Sequence, residues 1–388
     1  MRINFLLPGR SPAPSGGFKV AYRYAGLLAE RGHHICVVHC AHFAKHAALT
    51  RVARDLGGYC KRAFSRNFDA RGWLAFAPEV KTSWTPVIRS AFLPAADVTV
   101  AVGWETAEWL PGLKPQSGAQ SFLFQDYEKF HAGTAETEAR MRASLNASPN
   151  VIAISSATEQ LARESGAVRV FCVPNGLDWD DFHVLASNLT PERTDIGFPW
   201  RPEPYKRSWD AVEALTRLQR AGHLASRNVW CFGAERPQQL PEWITFLRRP
   251  TDEMLRWQYN RTAVFVVPSA YEGWGLPACE ALMCGAALVT TANGGSDMYA
   301  RNEETALVVP PGEPDLLAAA AAKLLTDAAL RQRLSDDGLR YIKRYTWKAS
   351  AAALEAALLA SLETATSVPQ PAARAGTRLH TKGVRKKH

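Results

Sequence analysis

Two glutamates eight residues apart, Glu272 and Glu280, bracket a glycine-bearing loop, Glu272-Gly273-Trp274-Gly275, and the Leu276-Pro277 step after it. An apolar, β-type run at 263–267 precedes the loop. A proline in the first turn of a helix costs no hydrogen bond, so a short helix opens at Leu276-Pro277. Strand, glycine loop and helix N-terminus, in that order, make a site for an anion, usually phosphate. Carboxylates do not bind phosphate; they accept hydrogen bonds from hydroxyls. On one continuous helix, positions eight apart lie roughly 80° apart. With Glu272 in the loop and Glu280 in the helix, both can face one ligand from different sides. A phosphate between two polyols suits this pattern, and a nucleotide sugar is such a ligand.

Other residues join this candidate site. Arg201 and Lys206 precede a helix expected at 208–221, just after a short strand at 195–198. Two cations at a strand-to-helix junction can neutralise a leaving diphosphate. Arg207 could stand in for Lys206. Nearer the start, a strand at 2–7, a loop ending in Ser15-Gly16-Gly17, a helix at 18–31 and a strand at 34–38 read as a βαβ unit. It lacks the G-x-G-x-x-G pattern and an acidic residue after its second strand, which excludes a nicotinamide dinucleotide site. A strand at 120–124 delivers Gln125-Asp126-Tyr127-Glu128 to its carboxyl end, where open α/β sheets place chemistry. Asp126 is the candidate base or acceptor-orienting group there. Asp178-Trp179-Asp180-Asp181 has the look of a D-x-D metal site, but it falls in a linker and is not read as one. Ser155-Ser156 with Glu159 resembles a capping box for a helix ending at Glu164.

The run Glu272-Gly273-Trp274-Gly275-Leu276-Pro277, followed by Glu280-Ala281-Leu282-Met283-Cys284-Gly285, resembles the E-x7-E signature of the retaining glycosyltransferases of family 4. Trp274 stands where most members carry Phe. The resemblance covers nearly the whole chain and is strongest over 264–312. It implies an α/β protein of the GT-B fold: two doubly wound Rossmann-like domains facing across a cleft, and a C-terminal helix crossing back to the first. On this reading 1–180 is the acceptor-side domain and 181–345 the nucleotide-sugar domain. Residues 346–365 form the crossing helix and 366–388 a basic, disordered tail.

The resemblance also implies the chemistry. A nucleotide-sugar donor passes its sugar to a glycan or lipid-linked saccharide with retention of configuration, and no metal or other cofactor is required. Glu280 accepts hydrogen bonds from the ribose and Glu272 from the sugar. Arg201, Lys206 and the helix start at Gly275-Leu276 stabilise the departing diphosphate. Gly16 and Gly17 let the backbone approach the donor phosphates and the acceptor, and Gly273 and Trp274 complete the donor loop. Glu272, Asp126, Arg201 and Lys206 form the catalytic set. Many members carry a histidine where this chain has Gln125-Asp126, with His131 beyond, so no histidine role is carried over. Gln-Asp-Tyr-Glu is similar to a branch that includes rhamnosyltransferases of bacterial polysaccharide assembly.

Size and charge set the frame. At 388 residues the chain suits two domains, and 47% hydrophobic with 21% charged is ordinary for a globular protein. Seven scattered cysteines with no C-x-x-C pair fit a reducing compartment, hence the cytoplasm, with the inner membrane face as a peripheral location. The start does not read as a signal peptide, and no apolar run approaches the roughly 18 residues of a membrane span.

The net charge of +9 is regional. Residues 41–95 carry nine Lys/Arg against three acids, 374–388 carry six and no acid, and the remainder nets −3. Such segments could attract an anionic membrane surface, an anionic acceptor or nucleic acid. The tail has no aromatic for stacking and no nucleic-acid module is recognisable, so nucleic acid is not expected. Within 41–95, Phe43, Phe64, Phe68, Trp73 and Phe76 interleave with the basic residues; this reads as an acceptor wall or as two amphipathic helices. Two other classes stay open: another GT-B enzyme, such as a sugar-nucleotide epimerase or phosphorylase, and a basic nucleic-acid- or membrane-binding protein.

Overall fold

The computed structural model describes residues 1–11, 15–65, 68–186 and 192–367, without the side chains of 64 and 364–367. In the first domain the elements run β1 (Arg2–Pro8), α1 (Gly16–Glu30), β2 (His34–His42), α2 (Leu49–Ser65), β3 (Lys81–Val87), β4 (Val98–Val102), α3 (Trp104–Ala107), β5 (Ala119–Phe124), α4 (Tyr127–Ala132), α5 (Ala135–Ala147), β6 (Val151–Ala153), α6 (Ser156–Glu164) and β7 (Val170–Cys172). The second domain has β8 (Asp195–Pro199), α7 (Ser208–Arg220), β9 (Val229–Gly233), β10 (Ile244–Arg248), α8 (Asp252–Arg261), β11 (Thr262–Val267), α9 (Leu276–Met283), β12 (Ala287–Thr291), β13 (Leu307–Val309), α10 (Pro314–Thr326) and α11 (Ala328–Ile342), followed by α12 (Trp347–Ser367).

Each domain holds one parallel sheet. The first is ordered β3-β2-β1-β4-β5-β6-β7 and the second β10-β9-β8-β11-β12-β13. Strand order reverses beside β1 in one and beside β8 in the other. Doubly wound sheets open their ligand crevice at such a reversal, beyond the carboxyl ends of the strands. Strands buried on both faces read as continuous apolar runs rather than alternating ones. β11 is of this kind, with all six residues buried. Each fully buried Val or Phe there stabilises the fold by about 1.5–3 kcal/mol.

The two domains are tied behind the cleft. Trp347 donates from Nε1 to Asp178 at 2.8 Å, and Ser350 from its hydroxyl to the Pro174 carbonyl at 2.7 Å. Helix α12 lies on the first domain. Leu354 and Leu358 are buried, Glu355 pairs with Arg31 and with His33, and Ser121 donates to Ser361 across 3.3 Å. Asp178, in the linker, is thus fastened to α12 and, through Lys19 and Arg23, to α1.

Two local expectations change. Where two amphipathic helices are one alternative, the described residues of 41–95 form one amphipathic helix, α2, and then an edge strand, β3. Ser155 caps α6, but its reciprocal partner is Thr158, not Glu159, because Thr158 occupies the third helical position. The basic segment 374–388 and the expected disorder beyond 367 lie outside the described residues. Among the described residues, no helix is long and apolar enough to cross a membrane.

Candidate active site

The carboxyl ends of β1, β4, β5, β8, β9 and β11 open on a cavity of about 750 Å³ between the two domains. Every site residue singled out above lines it: Gly16, Gly17 and Asp126 from the first domain, and Arg201, Lys206, Glu272, Gly273, Trp274, Gly275, Leu276 and Glu280 from the second. Pro8, Val102 and Gly103 supply the first domain's floor, and Trp73 comes in from the segment before β3.

Helix α9 aims its N-terminus at this cavity. Gly275 is its N-cap with φ +88°, in the left-handed region where an L side chain is strained. Pro277 then fixes the first turn. The first N–H groups of a helix have no partner within it and carry a partial positive charge, so they receive an anion. Glu272 stays at the loop because its backbone N–H donates to the Asn293 carbonyl at 2.9 Å. Its carboxylate accepts from the Ser269 hydroxyl at 2.7 Å and from Lys206 Nζ at 2.8 Å. Glu280 accepts from the Tyr259 hydroxyl at 3.0 Å. Burial pushes Glu280 up to about 7, although Lys19 and that hydroxyl pull it back.

The two cations of the second domain sit differently. Arg201 donates from Nη1 to the Trp200 and Phe232 carbonyls and lies 5.2 Å from the centre of the Phe232 ring. Among the described residues it makes no ion pair. Lys206 lies between two carboxylates, Glu272 at 2.8 Å and Glu128 at 3.3 Å. Burial opposes its charge, but these neighbours outweigh burial and raise its pKa. Arg207, the possible stand-in, turns away: its backbone is left-handed and its guanidinium pairs with Asp210 at 2.6 Å. Lys206 is the one that faces the cleft.

Asp126 is spoken for on both oxygens. Oδ2 accepts the Trp104 backbone N–H at 2.9 Å and Oδ1 pairs with Lys129 at 2.8 Å. A carboxylate so held orients Lys129 and the start of α3 at Trp104. His131 does not line the cavity; its ring stacks on Tyr271 of the second domain at 4.7 Å. The Trp274 indole turns into the core, edge-on to Tyr299 and Tyr345, so Phe or Trp at this position serves packing.

Sequence alone assigns no role to Lys19, Lys129 or Glu128. Lys19 sits near Asp178 at 3.2 Å and Asp252 at 3.8 Å, joining α1 to the linker and to the start of α8. Glu128 stood within the quoted Gln125-Asp126-Tyr127-Glu128 stretch, at a strand end where chemistry gathers. That position was the available signal.

Two parallel-sheet domains facing across a ligand-sized cleft define the GT-B fold. Residues 238–340, which hold both glutamates, match the family model described as Glycosyl transferases group 1. A D-inositol 3-phosphate glycosyltransferase of Corynebacterium efficiens is 29% identical over 174 residues, covering 41% of each chain. The chain thus spans less than half the length of that curated relative. Sucrose-phosphate synthase from Thermosynechococcus elongatus superposes with a TM-score of 0.71 at 18% identity, over 94% of this chain and 99% of that one. Anabaena HepE in complex with UDP-glucose superposes with a TM-score of 0.66 at 15% identity, over 95% and 100%.

Proposed function

We propose that this protein transfers a sugar from a nucleotide-sugar donor to a glycan or lipid-linked saccharide with retention of configuration, in bacterial surface polysaccharide synthesis. The observation that carries the reading is the convergence of Glu272, Glu280, Arg201, Lys206 and the start of α9 on one cavity. Glu280, steadied by Tyr259, accepts hydrogen bonds from the ribose. The diphosphate lies against the α9 N-terminus between Arg201 and Lys206, whose charges grow in value as the leaving group gains its own. Glu272 accepts from the sugar hydroxyls. The acceptor enters from the first domain, past Gly16, Gly17 and Trp73. Its hydroxyl attacks the anomeric carbon on the face the diphosphate leaves, the bond to phosphate breaks, and the leaving phosphate oxygen takes the hydroxyl's proton. Two cations and a helix terminus supply the positive charge, so the step needs no metal. HepE, a structure of the same fold, holds UDP-glucose, which supports a nucleoside diphosphate sugar as donor. The Gln125-Asp126-Tyr127-Glu128 stretch, similar to that of a branch that includes rhamnosyltransferases, supports a rhamnosyl unit among the sugars it could carry.

The test is nucleoside diphosphate release from UDP-, GDP- and dTDP-linked sugars with lipid-linked saccharide acceptors, the product anomer being read by NMR. Retained configuration is expected, with losses of about 10²–10³ in rate for Arg201→Ala and for Lys206→Ala. Donor isomerised without transfer, or consumed only with inorganic phosphate, would mark an epimerase or phosphorylase and overturn the reading.

A further inference from the structure

Helix α4 belongs to the first domain but faces the donor loop of the second. A Cβ on Gly294 would lie 2.7 Å from the Tyr127 ring, and His131 stacks on Tyr271. Between these contacts Glu128 reaches across the cleft. One of its oxygens lies 3.3 Å from Lys206 Nζ, and the carboxylate accepts a hydrogen bond from the Gly273 backbone. Lys206 also holds Glu272 at 2.8 Å. Two carboxylates from opposite domains therefore share one ammonium, and all three groups are largely enclosed.

A diphosphate arriving at the α9 N-terminus competes for that ammonium. Once Lys206 turns to it, Glu128 and Glu272 are left facing each other across the place where the sugar sits. We propose that Glu128 is a donor-positioning residue supplied by the first domain: it holds Lys206 until the diphosphate of a nucleotide sugar takes it, then binds the sugar's hydroxyls opposite Glu272. This rests on the donor-site reading above and names the residue that lets the first domain sense the sugar.

Charge decides the form Glu128 takes. Burial already pushes it above the usual carboxylate range; Lys206 lowers it and Glu272 raises it. Tyr205, beside Lys206, and Lys129, on its own helix, are the other titratable groups that face it. When Lys206 is drawn away, its lowering influence weakens and Glu128 takes a proton from solvent. A protonated carboxyl donates one hydrogen bond and accepts others, which suits a hydroxyl pair. Diphosphate binding is then coupled to proton uptake, and affinity falls as pH rises.

Calorimetric titration of the full chain tests this, with UDP and UDP-glucose, GDP and GDP-mannose, and dTDP and dTDP-rhamnose as probes, in two buffers of different ionisation enthalpy. The wild type should take up protons on binding a nucleoside diphosphate. Glu128→Gln, which mimics the protonated carboxyl, should take up measurably fewer, bind the diphosphate at least as tightly, and keep the affinity gained from the sugar. Glu128→Ala should lose about tenfold of that gain. Melting temperatures without nucleotide check that both variants fold, and the Gln variant keeps the test decisive if the Ala variant does not. Wild-type proton uptake in Glu128→Gln, or an undiminished gain from the sugar in Glu128→Ala, overturns the proposal while the donor site stands. A wild type that binds none of the probes overturns the donor-site reading and this proposal with it.

Discussion

Glu280 shows how much of a residue's chemistry comes from residues far away in sequence. Its position beside Glu272 is a local fact, visible as a spacing of eight in one short stretch. Its pKa is not local: burial raises it to about 7, against Lys19 and Tyr259 from α1 and α8. A carboxyl whose folded pKa lies above its unfolded value stabilises the fold below about pH 4.5, and that contribution is lost as pH rises through about 7. The shift corresponds to roughly 3 kcal/mol at most. Wild-type stability should therefore fall between pH 5 and 8 relative to Glu280→Gln, read as the difference of their denaturant midpoints across that range. A constant difference would show that Glu280 does not titrate there. Asp126 teaches the converse. Its place at the end of β5 was legible, but its engagement by Trp104 and Lys129 was not, since both partners are set by tertiary packing.

At the scale of elements, apolar runs and glycine or proline punctuation located β1, β2, β5, β8 and β11 and the helices α1, α7 and α9. β11 and α9 stood out because a fully buried strand followed by Gly275 and Pro277 leaves few alternatives. β3 was hidden: its sequence, KTSWTPV, shows no apolar alternation and ends near a proline, and it survives as an edge strand paired only to β2. α5 was hidden too, burying little more than Met141, Ser144 and Leu145 and relying on a Thr134 cap. The junction of β11 and α9 carries a sharp test. A Cβ on Gly275 would sit 2.6 Å from the Tyr299 hydroxyl, which donates to the Trp274 and Gly275 carbonyls. Gly275→Ala must also hold an L residue at φ +88°. The cost should be about 2 kcal/mol in stability. Nucleotide affinity should drop at least tenfold as the helix start shifts. Unchanged affinity in a folded variant would detach the α9 N-terminus from the anion site.

At the scale of the molecule, the resemblance made the two-domain plan legible, and residues 2–172 and 195–309 each build one parallel sheet. The meeting of the domains was not legible. Lys19 with Asp252, Glu128 with Lys206, and His131 with Tyr271 are pairs more than 75 residues apart, and no local pattern announces them. These contacts make one site of two half-sites, and a donor bound there should stabilise the whole chain by mass action.

The most direct test is thermal stabilisation of the purified protein by UDP-, GDP- and dTDP-linked sugars and their free diphosphates, without added metal. The account predicts a rise in melting temperature with one base, absent in Glu280→Ala and strongly reduced in Lys206→Ala. No rise with any of them, or a rise that persists undiminished in both variants, would contradict the claim that this cleft binds a nucleotide sugar.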